Sequence, residues 1–310
     1  MKPAKILPVI ILVTILTLSS CSVFKQNHVP NIRFHEFQRE IPIPEPDPED
    51  LSRFNAEAKG DFVTIEKKSG EEFSGYVTSN REFLEEIMMP VLSKHKEKLE
   101  SMYPVEQINA LLLFGHGMYR TYFGKSYFSW GGDLYDLDDP QERGPNFDSR
   151  YGFDCSGFAA MPYTLAVHLG LMTPEDEGAV FSSQGFNMYC LNTGMKDKGG
   201  RDGGSNRFRV DTGDFARLGR VIFVLKKDAV PTDKQIGMLQ AGDIVLLPQG
   251  HAGIIAEIDG ELYYLEAGGW VVPMNNGYPC EVKKSLEIFA RKGDLYIRRS
   301  LPDYGRIADN

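Results

Sequence analysis

Cys155, His251 and Glu266 are the residues whose types and settings fit nucleophilic acyl transfer. Cys155 lies in YGFDCSGFAAMPYTLAVHLG, residues 151–170. Asp154 is a good helix N-cap, Phe158, Met161, Leu165 and Leu169 recur at helical spacing, and Gly170 is a natural stop. The pattern predicts a helix with Cys155 in its first turn. There the helix dipole and the unpaired backbone N–H groups favour thiolate over thiol, the form a nucleophile needs. Gly157 is expected to leave room for a substrate to approach the sulfur. A buried structural cysteine is the competing reading, because free Cys is among the most buried residue types.

A thiol nucleophile needs a base, and the chain has six histidines. His28 and His35 fall in an N-terminal tether, and His95 sits among Lys94, Lys96 and Lys98 as on a solvated face. His168 shares the Cys155 helix but lies about 20 Å further along it, out of reach. His116, in FGHGMY, stays open as a candidate. His251 opens a β-like run directly after Gln249-Gly250, where a side chain at a sheet end can meet a helix start. Between HAGIIAEI and ELYYLEA stands Asp259-Gly260, a two-residue hairpin signal. If it forms the turn, Glu266 faces Gly253 and His251 faces Gly268. Glu266 is then diagonal to His251 on the same sheet face, within reach of a long side chain, while Leu265 and Ala267 point the other way. A carboxylate behind an imidazole fixes its tautomer and stabilises the imidazolium. A one-residue slip in register would undo this and leave Glu266 a surface strand acid.

The elements that must position these groups follow a helix-then-sheet order. Ser79-x-x-Glu82 reads as a capping box, Phe83, Leu84, Ile87, Met88, Val91 and Leu92 recur at helical spacing with Pro90 as a kink or restart, and Pro104 opens another helix. From about residue 240, GDIVLLP, HAGIIAEI, ELYYLEA and DLYIRRS are short β-like runs separated by turn residues. Helices first and an antiparallel sheet after them make an α+β fold. Upstream, FVTIEKK and EFSGYVT flank Ser69-Gly70 as a weakly signalled hairpin. Residues 133–150 and 190–225 read as inserts. The Gly-rich stretch at 196–214 is either a lid or specificity loop or a plain surface loop, and no Gly-Lys-Ser/Thr makes it a phosphate cradle. Asp133, Asp136, Asp138 and Asp139 lack EF-hand spacing and are expected to form a solvated acidic loop.

Composition bounds the class. The chain has 310 residues, 42% hydrophobic and 25% charged, with a formal net charge of −9, which is globular and a poor match to nucleic acid or anionic membrane. Lys2 and Lys5 precede the apolar run Ile6–Leu18, which spans roughly 20 Å as a helix and falls short of a ~30 Å bilayer core. This is the layout of a secretory signal. The run ends Leu18-Ser19-Ser20-Cys21, which resembles the bacterial lipobox, in which the cysteine is lipidated and becomes the first mature residue. An ordinary cleaved signal is the alternative. Ser22 rather than Asp after the cysteine favours the outer membrane, facing the periplasm. The expected organisation is a signal at 1–21, a Pro-rich tether at 22–60 stiffened by Pro42, Pro44, Pro46 and Pro48, an N-terminal extension at 61–103, alone or in a small accessory domain, and a catalytic domain at 104–310. Cys190 and Cys280 either pair or remain two thiols.

DCSGF at 154–158, followed by AGDIVLL and by HAGII at 251–255, resembles the NlpC-type cell-wall cysteine peptidases over residues of about 104–300. The resemblance implies a papain-like fold, Cys155 as nucleophile and His251 as base. Glu266 stands where the family has a third polar residue, usually His, Asn or Gln. FSWGG, Phe128–Gly132, matches the family's Y-x-W-G-G element with Phe128 in the tyrosine position and Tyr127 beside it. Asp154, Ser156, Tyr127, Phe128 and Trp130 are thereby implied in substrate binding. The implied activity is hydrolysis of peptidoglycan stem peptides, at the D-γ-glutamyl to diamino-acid bond, without metal or cofactor. Two other readings stay open: a catalytically inactive wall-binding or scaffold lipoprotein, and an amidase or acyltransferase using the same Cys–His pair.

Overall fold

A computed structural model describes residues 41–42, 62–66, 72–76, 80–123, 132–134, 153–195, 209–248, 250–267 and 279–304. The signal with Cys21, nearly all of the tether, Ser79 of the capping box, and Tyr127, Phe128 and Trp130 lie outside them. Strands β1 (Phe62–Glu66) and β2 (Glu72–Tyr76) pair antiparallel as the expected hairpin, in a sheet of their own.

From Asn80 to Glu100 the backbone is helical but not uniform. Phe83–Met88 takes the wider π winding just before Pro90, and α1 (Met89–Lys94) restarts with the proline in its first turn. Pro90 has no N–H to donate and its ring crowds the carbonyl four residues back, so the loosened turn absorbs it. α2 (Lys96–Glu100) follows, and Pro104 opens α3 (Pro104–Phe123) as the sequence predicts. Phe83, Leu84, Met88, Leu92 and Leu99 share one hydrophobic core with α3 and with α4 (Cys155–His168). Residues 80–100 of the N-terminal extension are thus packed onto the helices that follow them.

α4 departs from the expected one-sided stripe, because every residue from Cys155 to Ala166 is buried. It packs against α3, against the sheet, and against the 3-10 turn Glu177–Phe181 that leads into α5 (Ser183–Thr193). A helix surrounded on all sides has to be apolar on all sides, and FAAMPYTLA meets that demand.

The main sheet has six strands, β3 (Arg220–Leu225), β4 (Ile244–Leu247), β5 (His251–Ile258), β6 (Glu261–Leu265), β7 (Cys280–Glu281) and β8 (Leu295–Arg299). Their spatial order is β3-β8-β4-β5-β6-β7, with every pairing antiparallel, so the fold is α+β. RVIFVL at 220–225 corrects one reading: it is a strand of this sheet, not part of an insert. Between β7 and β8 runs α6 (Val282–Ala290), whose Val282, Leu286, Phe289 and Ala290 recur on one face. The sheet is covered on both sides. Ile244, Leu246, Ala252, Ile254, Ala256 and Leu265 join the core of α3 and α4, whereas Val245, Ile255, Tyr264 and Ile297 join a second core with α6. Strands alternate their side chains between faces, so burial on both explains the unbroken apolar runs.

The turn between β5 and β6 has the predicted geometry. Asp259 and Gly260 both take left-handed backbone (φ 55 and φ 81), and pairing runs from Ile258↔Glu261 to Ile254↔Leu265, the register the two-residue turn requires.

One buried ion pair anchors the middle of the sheet. Arg299 donates from Nε to Oδ1 and from a terminal nitrogen to Oδ2 of Asp243, each at 2.6 Å. Burial pushes the Asp243 carboxyl up to about 6 even beside the guanidinium. Replacing Arg299→Met strands that carboxylate, so urea denaturation should show a loss of about 3–5 kcal/mol. Adding Asp243→Leu to the same chain should recover most of the loss.

Candidate active site

α4 begins at Cys155 because Asp154 caps it. Asp154 lies in extended backbone (φ −87, ψ −177), and its Oδ1 accepts the Gly157 N–H at 2.7 Å and the Ser156 hydroxyl at 2.9 Å. The Asp154 N–H in turn donates to the Gly132 carbonyl at 3.1 Å. A Cβ added to Gly157 would lie 2.0 Å from that carbonyl. Gly157 therefore admits the Gly132–Asp133 backbone across the helix start, which corrects the expectation that it opens a path for substrate. The N–H groups of Cys155 and Ser156 belong to the first turn, which has no acceptors for them inside the helix.

His251 is the first residue of β5, and its ring lies close enough to Cys155 for the sulfur to act on its titration. Its Nε2 lies 2.6 Å from Glu266 Oε2, which leaves Nδ1 for the sulfur. The predicted diagonal across the hairpin is thus formed, with Leu265 and Ala267 on the opposite face in the core of α3 and α4. Cys155, His251 and Glu266 are 6%, 2% and 3% exposed. Phe289 of α6 backs the imidazole edge-on, with ring centroids 5.5 Å apart.

Burial alone would lower the His251 pKa. The Cys155 sulfur and the Glu266 carboxylate reverse this and hold it up, to about 10.

Two further residues complete the cluster and were not read from the sequence. Tyr264 donates its hydroxyl to the same Glu266 oxygen at 2.9 Å, and burial, then Glu266, raises its own pKa. Its ring lies over Gly253, where an added Cβ would sit 2.3 Å from ring carbon. The glycine of HAGII is therefore the gap the tyrosine fills. The register that selected Glu266 also puts Tyr264 on this face, so the aromatic diagonal to a strand glycine was the available signal.

The second is Arg209, whose Nε donates to Asp133 Oδ2 at 2.7 Å. A terminal nitrogen of Arg209 donates to Asp154 Oδ1, to Ser156 Oγ at 3.2 Å and to the Gly132 carbonyl at 3.4 Å. Asp133 is accordingly buried and ion-paired, not part of a solvated acidic loop, because a guanidinium neutralises it. Asn80 extends the support by donating to the Asp133 carbonyl at 2.8 Å while accepting from the Tyr119 hydroxyl. The end of the long insert is likewise no plain surface loop, since Arg209, Val210, Asp211 and Asp214 are all buried. An arginine embedded in FRVD, just before the capping Asp211, was the only hint in the sequence.

The remaining candidates lie elsewhere. His116 packs edge-on against Phe158, His168 approaches the Leu134 carbonyl at 3.4 Å, and His95 ends α1. Cys190 and Cys280 are both buried and are not joined to each other by a disulfide. Among the described residues no group of three or more His, Cys, Asp or Glu is arranged to hold a metal ion. Asp154 and Ser156 both point into the Arg209 cluster. Comparisons with family models, with curated proteins and with solved structures return no match for this chain.

The raised His251 pKa has a consequence for stability. The folded value lies above the ordinary 6.5, so the native state holds a proton that the unfolded chain releases between the two. This contribution is complete below pH 6.5 and is lost as the pH climbs through about 10. Urea unfolding over that range should show stability falling more steeply with pH in the natural chain than in His251→Gln.

Proposed function

We propose that this chain is a lipid-anchored peptidoglycan hydrolase of the NlpC type, with a papain-like arrangement of helices on an antiparallel sheet. One observation carries the reading: Glu266 hydrogen-bonds His251, and the Cys155 sulfur at the start of a helix acts on the same imidazole of the sheet. The DCSG and HxGI elements that resemble that family supply two of its three members.

In this reading Cys155 and His251 react as thiolate and imidazolium, with Glu266 stabilising the imidazolium and the imidazolium in turn stabilising the thiolate. The sulfur attacks the carbonyl carbon of a stem-peptide amide. The N–H groups at the start of α4, that of Cys155 included, receive the negative charge that develops on the carbonyl oxygen. As the C–N bond breaks, His251 passes its proton to the leaving amine. The ring, now neutral, takes a proton from water as the water attacks the thioester, which releases the acid and regenerates the thiolate. Glu266 holds the ring in the tautomer that offers Nδ1 to the sulfur, and Tyr264 holds Glu266. The substrate bond suggested by the resemblance is D-γ-glutamyl to a diamino acid. Cys21 would anchor the protein to the outer membrane on the periplasmic side, and the Pro-rich tether would carry the folded part towards the wall.

A second reading, a wall-binding or scaffold lipoprotein without catalysis, is favoured by the low exposure of Cys155 and His251, 6% and 2%. The two separate on purified sacculi. Release of stem-peptide fragments, followed by mass spectrometry, should be lost in Cys155→Ala and fall by about 10²-fold or more in Glu266→Gln. A natural chain that binds sacculi but releases nothing would establish the scaffold reading instead.

A further inference from the structure

The start of α4 carries a charge arrangement that the proposed reaction does not use directly. Asp154 and Asp133 place two carboxylates beside the first turn, with side chains 7% and 4% exposed. Buried negative charge at the start of the helix that carries the sulfur, poorly screened by water, opposes formation of a thiolate there. The helix end offers only about half a positive charge against them. Arg209 is the cation set between the two, with its own side chain 4% exposed and four acceptors around it, namely Asp133, Asp154, Ser156 and the Gly132 carbonyl.

The backbone of Arg209 is fixed as well. The Val210 N–H donates to the Ser183 hydroxyl at 3.0 Å, at the start of α5, and Asp211 caps the helical turn Thr212–Phe215. Asp211 adds a third carboxylate facing the guanidinium. On the sheet side, His251 of β5 and Tyr264 of β6 interact electrostatically with Cys155, and Glu266, directly after β6, hydrogen-bonds His251. On that side the imidazole balances Glu266. On the helix side Arg209 has the corresponding task.

We infer that Arg209 is a positioning residue for Cys155: it locks the Asp154 cap and offsets the carboxylates beside the helix start, so that the sulfur is held as a thiolate facing His251. The inference builds on the hydrolase reading but is tested without peptidase turnover. The Arg209 guanidinium hydrogen-bonds Asp133, Asp154, Ser156 and the Gly132 carbonyl, and so acts on the sulfur through Asp154 and Asp133.

The test is the pH dependence of Cys155 alkylation by iodoacetamide, located by peptide mass mapping so that Cys190 and Cys280 are read separately. In Arg209→Met the labelling profile should move about one pH unit higher, a tenfold slower reaction on its acid limb. Arg209→Lys, which keeps the charge, should move less than half as far. Asp133→Asn removes a carboxylate and leaves Arg209 in place, so its profile should move in the opposite direction, to lower pH. This variant decides the matter if Arg209→Met does not fold. Profiles of the folded Arg209→Met and of Asp133→Asn that superimpose on the natural one would overturn the inference and leave the hydrolase reading standing. A Cys155 that stays unlabelled at every pH in the natural chain would overturn the hydrolase reading and the inference with it.

Discussion

The site depends on one imidazole held between a sulfur and a carboxylate away from water. His251 belongs to a strand, Cys155 to a helix and Glu266 to the next strand, so the contact exists only when three elements are fixed to within a hydrogen-bond length. Each is fixed by a different device. The Asp259-Gly260 turn sets the β5–β6 register, and hence the diagonal from His251 to Glu266. The missing Cβ of Gly253 lets the Tyr264 ring lie flat enough to reach the same carboxylate. The Asp154 cap determines which residue begins the helix, and so where the sulfur stands. A one-residue error in either the register or the cap would turn its side chain to another face.

The two cores meet at this contact. Ala252 and Ile254 next to His251 pack with α4, while the ring itself rests on Phe289 of the second core. The strand that carries the imidazole is therefore packed on both faces of the sheet, and α4 is buried on every side over its first twelve residues. Neither partner can shift without disturbing close packing, which resists small displacements and makes their relative geometry stiff. Docking of α3 adds a further constraint, because Asn109 both donates to and accepts from the backbone of Glu257 on β5, at 2.8 and 2.9 Å. Helix layer and strand are thereby tied in register near the far end from the site.

What the sequence revealed follows from how local each signal is. The capped start of α4, the hairpin register and the Glu266 diagonal each depend on residues a few positions apart, and they were legible in DCSG, Asp259-Gly260 and HAGII. Helical spacing and prolines likewise located α1 and α3. Arg209 was not legible, because its partners Asp133 and Asp154 come from distant parts of the chain and nothing local marks an arginine as buried. The same holds for Gly157: next to a cysteine it looks like access for a ligand, but the segment that fills the space is Gly132–Asp133. RVIFVL was passed over because its pairing partner is β8, the last strand of the chain, so no hairpin turn flanks it. Asp133 showed the converse, since acid-rich local composition suggested solvent where one long-range partner made burial affordable.

The concentration of charge at the head of α4 bears on what the fold is for. Asp133, Asp154 and Arg209 are all buried, and so are His251 and Glu266. Buried ion pairs recover only part of the hydration they lose, and well-packed apolar side chains of similar volume commonly leave a protein equally or more stable. A domain that served only as a scaffold has no evident need for five such groups at one helix start and the strands beside it. A domain that must form a thiolate and move a proton needs them, because the carboxylate orients the base and the fixed cations hold the sulfur's charge before substrate arrives. The ion pair of Arg299 and Asp243 is the useful contrast within the same sheet. It is equally buried but encloses no nucleophile, and its bidentate geometry joins β8 to the turn before β4. One cluster lies at the helix start that carries Cys155 and the other at a strand junction, a difference that accords with the proposed reaction without depending on it.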